Sequence, residues 1–372
     1  MPRIETTPVP KIRVLIVDDS AVMRRLLTDG LSRAPGVEVV GAAADPYIAR
    51  DKIQRLRPDV LTLDVEMPRM DGLTFLAKLM QTTPMPVVMV SSGSPDIRAV
   101  TLRALELGAV NFVLKPQMDV LGGMADTLPE IIEKVREAAQ ARPRVVRTSP
   151  VPPAPRPGLT TPAGSKALVA MGASTGGTEA IRALLAELPS DSPGTVIVQH
   201  MPEHFTRTFA ERCDQLSVVK VKEAEDGDEV LPGHALIAAG NYHMRVVRAG
   251  QGYRVRLDQA EAVNRHRPSV DVLFHSVAEV AGANAVGVLL TGMGADGARG
   301  LAALREAGAR TIAEAESSCV VFGMPRAAIA LGAAEYVLPL SEIGGAILAL
   351  AGRPLAAGWA IVARRTSDAV DT

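Results

Sequence analysis

Aromatic side chains are scarce in this 372-residue chain: they make up 3% of it, with one tryptophan. Its cores must therefore be filled by aliphatic residues and alanine, and the 47% apolar content is ample for that. Cysteine is nearly missing, with only Cys213 and Cys319. Two cysteines in a chain this long build no disulfide framework and point to a reducing cytosol. Neither sits in a glycine-rich corner, so neither is read as a catalytic thiol. An excess of either charge is lacking too: 40 Lys plus Arg against 41 Asp plus Glu give a net charge of −1. That balance argues against a nucleic-acid protein, which needs a strongly basic surface. No run reaches the ~20 apolar residues that span a bilayer. The stretch up to Pro10 has no hydrophobic signal region. These gaps predict a cytoplasmic chain with no membrane insertion and no nucleic-acid partner.

What the sequence does contain is a repeated alternation of strand and helix. Apolar runs at Ile12–Val17, 37–41, 59–63, 86–90 and 110–114 read as strands. Helical spacing follows each, over 21–33, 46–56, 72–80, 97–107 and 128–141. Five such units in about 130 residues predict a doubly wound α/β domain with a parallel sheet. Polar residues fall at the strand ends: Asp18, Asp19, Asp64, Ser91 and Lys115. In an open parallel sheet those ends share one edge, where ligands bind. Clustered carboxylates repel one another, and a hard divalent cation such as Mg²⁺ relieves this through oxygen ligation. A lysine nearby can pair with phosphate oxygens, so this edge is equipped to accept a phosphoryl group.

Residues 142–164 change character. Seven prolines and four arginines lie between Arg142 and Pro162, with no apolar periodicity, which predicts a semi-extended linker. A second α/β domain is expected over 165–355, with an antiparallel hairpin at 244–257 around the turn Ala249-Gly-Gln-Gly252. A tail is expected over 356–372.

The second domain opens on Ala167-Leu-Val-Ala-Met-Gly-Ala-Ser-Thr-Gly-Gly177, an apolar strand that turns sharply into a helix. Ser174 sits at the corner, beside the free N–H groups and positive dipole end of the helix that follows. A serine there suits nucleophilic attack, because the oxyanion it creates meets donors. Such a corner also suits a dinucleotide phosphate, but that reading needs an acid at the end of the next strand. The next strand, 195–198, ends in Gln199-His200, and a histidine suits a general base. A third apolar run, 285–290, precedes Asp296. Ser174, His200 and Asp296 thus gather at one edge, the set that supports acyl transfer. The remaining histidines lack metal-ligand spacing, so no zinc is expected.

The blocks Gly172-Ala-Ser-Thr-Gly-Gly-Thr-Glu179, Gln199-His-Met-Pro202, His266-Arg-Pro-Ser-Val-Asp271 and Thr291-Gly-Met-Gly-Ala-Asp-Gly297 resemble those of the chemotaxis methylesterases. The first half resembles a response-regulator receiver, through Asp18-Asp19, Asp64 in Leu63-Asp-Val-Glu-Met-Pro68, Ser91 and Lys115-Pro116. Together the two halves, over about residues 10 to 350, resemble the protein-glutamate methylesterase (CheB) family. That resemblance implies a flavodoxin-like receiver over 10–141 and a Rossmann-like esterase domain over 165–355. It implies phosphorylation-activated hydrolysis of glutamate γ-methyl esters on methylated chemoreceptors, with release of methanol and deamidation of receptor glutamines. It makes Asp64 the phosphoacceptor and a chemotaxis histidine kinase the phosphodonor. Mg²⁺ would be held by Asp19, Asp64 and the Glu66 carbonyl with support from Asp18, while Ser91 and Lys115 sense the phosphoryl group. A cis Lys115–Pro116 bond is expected. The esterase needs no cofactor: Ser174 attacks, His200 transfers the proton and Asp296 orients it. Backbone N–H groups of Thr175 and Met293 are expected to hold the oxyanion, and Arg207 or Arg267 to steer acidic receptor surface.

Overall fold

A computed structural model describes residues 10–92, 95–115, 123–142 and 167–352. It divides into two compact units, split between Arg147 and Thr148. The expected linker, the tail after Arg353 and the Lys115–Pro116 bond lie outside the described residues or depend on residues that do.

In the first unit the strands are β1 (Ile12–Val17), β2 (Val37–Ala43), β3 (Val60–Asp64), β4 (Val87–Ser91) and β5 (Asn111–Leu114). Helices α1 (Ala21–Ser32), α2 (Pro46–Leu56), α3 (Gly72–Thr82), α4 (Pro95–Glu106) and α5 (Gly123–Ala139) alternate with them. The sheet is parallel, in the order β2-β1-β3-β4-β5. β3 and β4 are buried along their whole length, as a sheet covered on both faces requires. Short polar side chains start the helices at the sheet's C-terminal edge. Ser20 accepts from the Met23 amide, Asp45 from Tyr47 and Ile48, and Asp71 from Thr74. Each satisfies N–H groups that a helix start leaves unpaired. Register then builds the site. Val17 pairs with Leu63, which puts Asp18 and Asp64 on the next rung. Ser91 pairs with Leu114, which puts Lys115 one step beyond it.

In the second unit the strands are β6 (Leu168–Ala173), β7 (Gly194–Gln199), β8 (Lys220–Glu223), β9 (His234–Ile237), β10 (His243–Ala249), β11 (Gly252–Asp258), β12 (Ala285–Leu289), β13 (Arg310–Glu314) and β14 (Tyr336–Leu338). The helices are α6 (Gly177–Glu187), α7 (Phe205–Leu216), α8 (Val270–Val280), α9 (Ala298–Glu306), α10 (Met324–Ala330) and α11 (Leu340–Leu350). Seven strands form one parallel sheet, in the order β14-β13-β12-β6-β7-β9-β8. The expected hairpin is present as β10 and β11, antiparallel and forming a sheet of its own. The core is aliphatic, as the aromatic shortage requires. Phe205 and Phe274 are its most deeply buried phenyl rings, among Leu, Ile, Val and Ala. β6 lies between β12 and β7, so three strand ends converge at the centre of the edge. This central position is where Ser174, His200 and the loop to Asp296 leave the sheet.

Candidate active sites

At the first unit's edge, the Lys115 ammonium lies 2.7 Å from Asp64 Oδ2 and 3.2 Å from Asp18 Oδ2. Both carboxylates are buried. Burial pushes the Asp64 carboxyl up to about 6, opposed by Lys115 and reinforced by the charge on Asp18. Burial alone would lower Lys115, but the two carboxylates outweigh it and raise it. Asp19 is exposed, and ligand atoms of Asp18, Asp19 and Asp64 all lie within 4.8 Å of one another. The Glu66 amide donates to Asp64 Oδ1 at 3.2 Å, which brings residue 66 against the same carboxylate. Arg24 ties down the Asp18 and Asp19 carbonyls, each at 2.8 Å. Ser91 is buried, and its hydroxyl lies 3.0 Å from that of Thr101 on α4. A cavity of about 640 Å³ opens beside this edge, lined by Asp19, Glu66, Met67, Asp71 and Ile97 among others. Oxygen donors at this spacing suit a hard divalent cation.

At the second unit's edge, Ala173 pairs with Gln199 and the His200 amide donates to the Ala173 carbonyl at 3.0 Å. Ser174 and His200 therefore occupy the next rung of neighbouring strands, which run roughly 4.8 Å apart. The Ser174 amide donates to the Thr291 carbonyl at 3.0 Å, which ties the corner to the β12 side as well. His200 Nε2 lies 2.8 Å from Asp296 Oδ2, with both side chains buried.

Asp296 is held by more than the histidine. Its Oδ2 accepts from the Val270 amide at 2.7 Å. Its Oδ1 accepts from the Ser269 hydroxyl, from Asn264 Nδ2 and from the Asp271 amide, at 2.8, 2.6 and 3.3 Å. Burial works to raise this carboxyl, but the hydrogen bonds and charge of His200, with Asn264 and Val270, hold it well below the usual carboxylate range. Asp296 is therefore a fixed anion that orients the imidazole through Nε2. The other ring nitrogen, Nδ1, is buried and has no hydrogen-bond partner among the described residues.

A family model for CheB methylesterases matches residues 169–347, and one for the response regulator receiver domain matches residues 14–123. A protein-glutamate methylesterase/protein-glutamine glutaminase of Chromohalobacter salexigens is 56% identical over 91% of this chain and 96% of its own length. The chain belongs to this CheB methylesterase family. Its relative of the same description in Bordetella parapertussis is 57% identical, over 92% of this chain and 98% of that protein. A crystal structure of the Thermotoga maritima CheB methylesterase catalytic domain is 40% identical and covers 50% of this chain and 99% of its own, with a TM-score of 0.49. The response regulator domain of Thermotoga maritima CheB is 41% identical over 36% of this chain and 99% of its own, with a TM-score of 0.33. This chain, like the CheB relatives it resembles, is a carboxylic-ester hydrolase joined to a receiver.

Several residues of this CheB-type esterase unit were not singled out as site residues from its sequence. His266 stacks on His200, with ring centroids 3.7 Å apart and planes 7° from parallel. It reaches there through a loop in which Asn264 and Arg265 both take left-handed backbone angles, which asparagine readily adopts but for which arginine gives no signal. Ligand atoms of His200, His266 and Asp296 lie within 4.8 Å of one another, but lone pairs in two stacked rings run side by side and do not converge on one ion. Of the two expected oxyanion donors, Met293 adjoins Gly292. A Cβ added at Gly292 would lie 2.8 Å from the Ser174 Cβ, so this backbone runs against the serine. The Met293 amide donates no hydrogen bond among the described residues. The two steering arginines are engaged. Arg267 is clamped by Asn241 Oδ1 and the carbonyls of Gln259 and Ala260, and exposed Arg207 pairs with Glu223. Arg267 is thus a strut of the loop carrying His266.

Proposed function

We propose that Ser174 is the nucleophile, His200 the general base and Asp296 the orienting acid of a reaction that removes methyl groups from glutamate side chains of methylated chemoreceptors. The Ser174 hydroxyl oxygen bonds to the ester carbonyl carbon while His200 Nδ1 takes its proton. Backbone N–H groups of Met293 and Thr175 meet the oxyanion. The imidazolium returns the proton to the departing methoxide, and methanol leaves. Water then repeats the sequence on the acyl-enzyme, and the receptor glutamate is freed. A receptor glutamine follows the same course with ammonia as the leaving group. The observation that carries this reading is the 2.8 Å contact of His200 Nε2 with the buried, fully hydrogen-bonded Asp296, one rung from Ser174. It supports proton transfer through Nδ1, because Nε2 is committed to the carboxylate.

The receiver, over 10–141, is proposed to take a phosphoryl group on Asp64 from a chemotaxis histidine kinase in the cytoplasm. Asp18, Asp19, Asp64 and the Glu66 carbonyl would hold Mg²⁺, which supplies charge neutralisation to the incoming phosphoryl oxygens. Lys115 already faces Asp64 and Asp18, and Ser91 lies one step from Lys115 across the β4–β5 register.

The test is methanol release from methylated chemoreceptor membranes, with and without a small phosphodonor. Ser174→Ala is expected to abolish release while leaving Asp64 phosphorylation intact. Asp64→Asn is expected to keep basal release and lose the response to phosphodonor. Release by the serine variant at the unaltered rate overturns the nucleophile assignment.

A further inference from the structure

Gln199 ends β7 just before the proposed base, and its side chain is buried. Its amide nitrogen donates to the Ser174 carbonyl at 2.9 Å and to the His200 carbonyl at 3.1 Å. An amide nitrogen has two hydrogens, so one group can hold both residues at once. The backbone ladder between β6 and β7 ends with the His200 amide on the Ala173 carbonyl. Past that point no backbone hydrogen bond joins the two corners among the described residues. The Gln199 amide supplies the missing rung at the place where the two reacting side chains leave the sheet.

Two further observations show that the arrangement is built at a cost. Gln199 Oε1 is buried without a hydrogen-bond partner among the described residues. A buried acceptor left unpaired costs about 1–3 kcal/mol. Turning the amide over would be worse, because it would set Oε1 against two carbonyl oxygens. The side chain also needs residue 177 to lack a Cβ. A Cβ there would lie 2.2 Å from Gln199 Oε1 and 2.5 Å from the Ala173 Cβ. The amide of that same glycine donates to the Ser174 carbonyl at 2.8 Å, so the carbonyl is gripped from two sides.

We infer that Gln199 is a positioning residue that fixes the separation of nucleophile and base by bridging the Ser174 and His200 carbonyls. The inference rests on the reading of Ser174 and His200 given above. It predicts that loss of the bridge slows the chemical step and leaves substrate binding alone, because the bridge faces the backbone of the two corners.

The experiment compares full-length Gln199→Met and Gln199→Glu with the unaltered chain in methanol release from methylated chemoreceptor membranes, with Ser174→Ala alongside. Methionine has similar length and no donor. Its kcat is expected to fall about 10- to 100-fold, with KM within about 2-fold and Asp64 phosphorylation unchanged. A glutamic acid at 199 donates one hydrogen bond when protonated and none when ionised. Its kcat, taken as a ratio to the unaltered chain, is expected to rise as pH falls from about 8 to about 6. A merely structural role would leave that ratio flat. Unchanged kcat in the methionine variant, a loss confined to KM, or a flat ratio for the glutamate variant overturns the inference. If Gln199→Met does not fold, the glutamate ratio decides alone. Activity in Ser174→Ala would sink the nucleophile reading itself, whereas an inactive Ser174→Ala beside a normal Gln199→Met sinks only the bridge.

Discussion

Asp296 shows how much one side chain can settle. Two oxygens accept from a histidine, a hydroxyl, a side-chain amide and two backbone amides, so the carboxylate has a single orientation and stays ionised. Asp296→Asn keeps the shape but places an amide beside His200. If that amide donates to Nε2, the ring proton moves to Nδ1, and Nδ1 can no longer accept from Ser174. We expect kcat to fall roughly 10⁴-fold, as wrong-tautomer replacements do in Ser-His-Asp enzymes. Stability carries a second signature. The folded carboxyl titrates below its unfolded value, so its contribution is full above about pH 4 and is lost as pH falls further. The stability gap between the variant and the unaltered chain should shrink as pH falls below about 4, as read by urea unfolding. The residue types of the site were legible because each follows an apolar strand. Which imidazole nitrogen meets the acid was not, because it depends on ring rotation. Nor was the His266 stack, which depends on a loop whose left-handed residues are not glycine.

Elements were legible where periodicity is strong. The hairpin turn and most strands fall within a residue or two of the apolar runs. The starts of α1, α2 and α3, where Ser20, Asp45 and Asp71 cap by local hydrogen bonds, fall where the sequence puts them, and ranges drift at other helix ends, such as the starts of α4 and α5. Bracing between elements left no such trace. Thr291 follows β12, and its carbonyl holds the Ser174 amide. Its hydroxyl donates to the Thr175 carbonyl at 2.9 Å and accepts from the Val320 and Val321 amides at 3.1 and 3.0 Å. Its own amide donates to Glu314, a buried carboxylate at the end of β13, at 2.8 Å. Four chain segments thus meet on one threonine, and none of this follows from spacing along the chain. Thr291→Val keeps the volume and strands one carbonyl and two amides. We expect a loss of about 2 kcal/mol in stability and a lower kcat, while Thr291→Ser restores most of both. Thermal unfolding and methanol release check the pair, and a valine variant as stable as the unaltered chain would show that the hydroxyl braces nothing.

At the scale of the whole chain, the same device is used twice with opposite electrostatic results. Both units gather their chemistry at the C-terminal edge of a parallel sheet, because strand ends are where backbone groups and side chains are free to meet a ligand. In the esterase unit the buried acid is surrounded by donors and stays ionised. In the receiver unit burial dominates, and the Asp64 carboxyl is pushed up to about 6. The linkage signs follow. Below the ordinary carboxylate range Asp64 is protonated whether the unit is folded or not. As pH rises through about 4 to about 6, the unfolded chain ionises first, so the receiver loses stability across that window. On the proposed phosphoacceptor reading that cost serves the chemistry, since a carboxylate held short of its preferred solvation gains more from a divalent cation or a phosphoryl group. Asp64→Asn should therefore make the receiver more stable at pH 7 in Mg²⁺-free buffer, by on the order of 2 kcal/mol. Lys115 keeps a partner in Asp18, 3.2 Å away, so the substitution does not strand it. The gain should shrink as pH is lowered from about 6 to about 4, where Asp64 in the unaltered chain becomes neutral. Amide hydrogen exchange of β3 and β4 reads the receiver by itself, and equal protection in the two proteins at pH 7 would show that Asp64 carries no such strain.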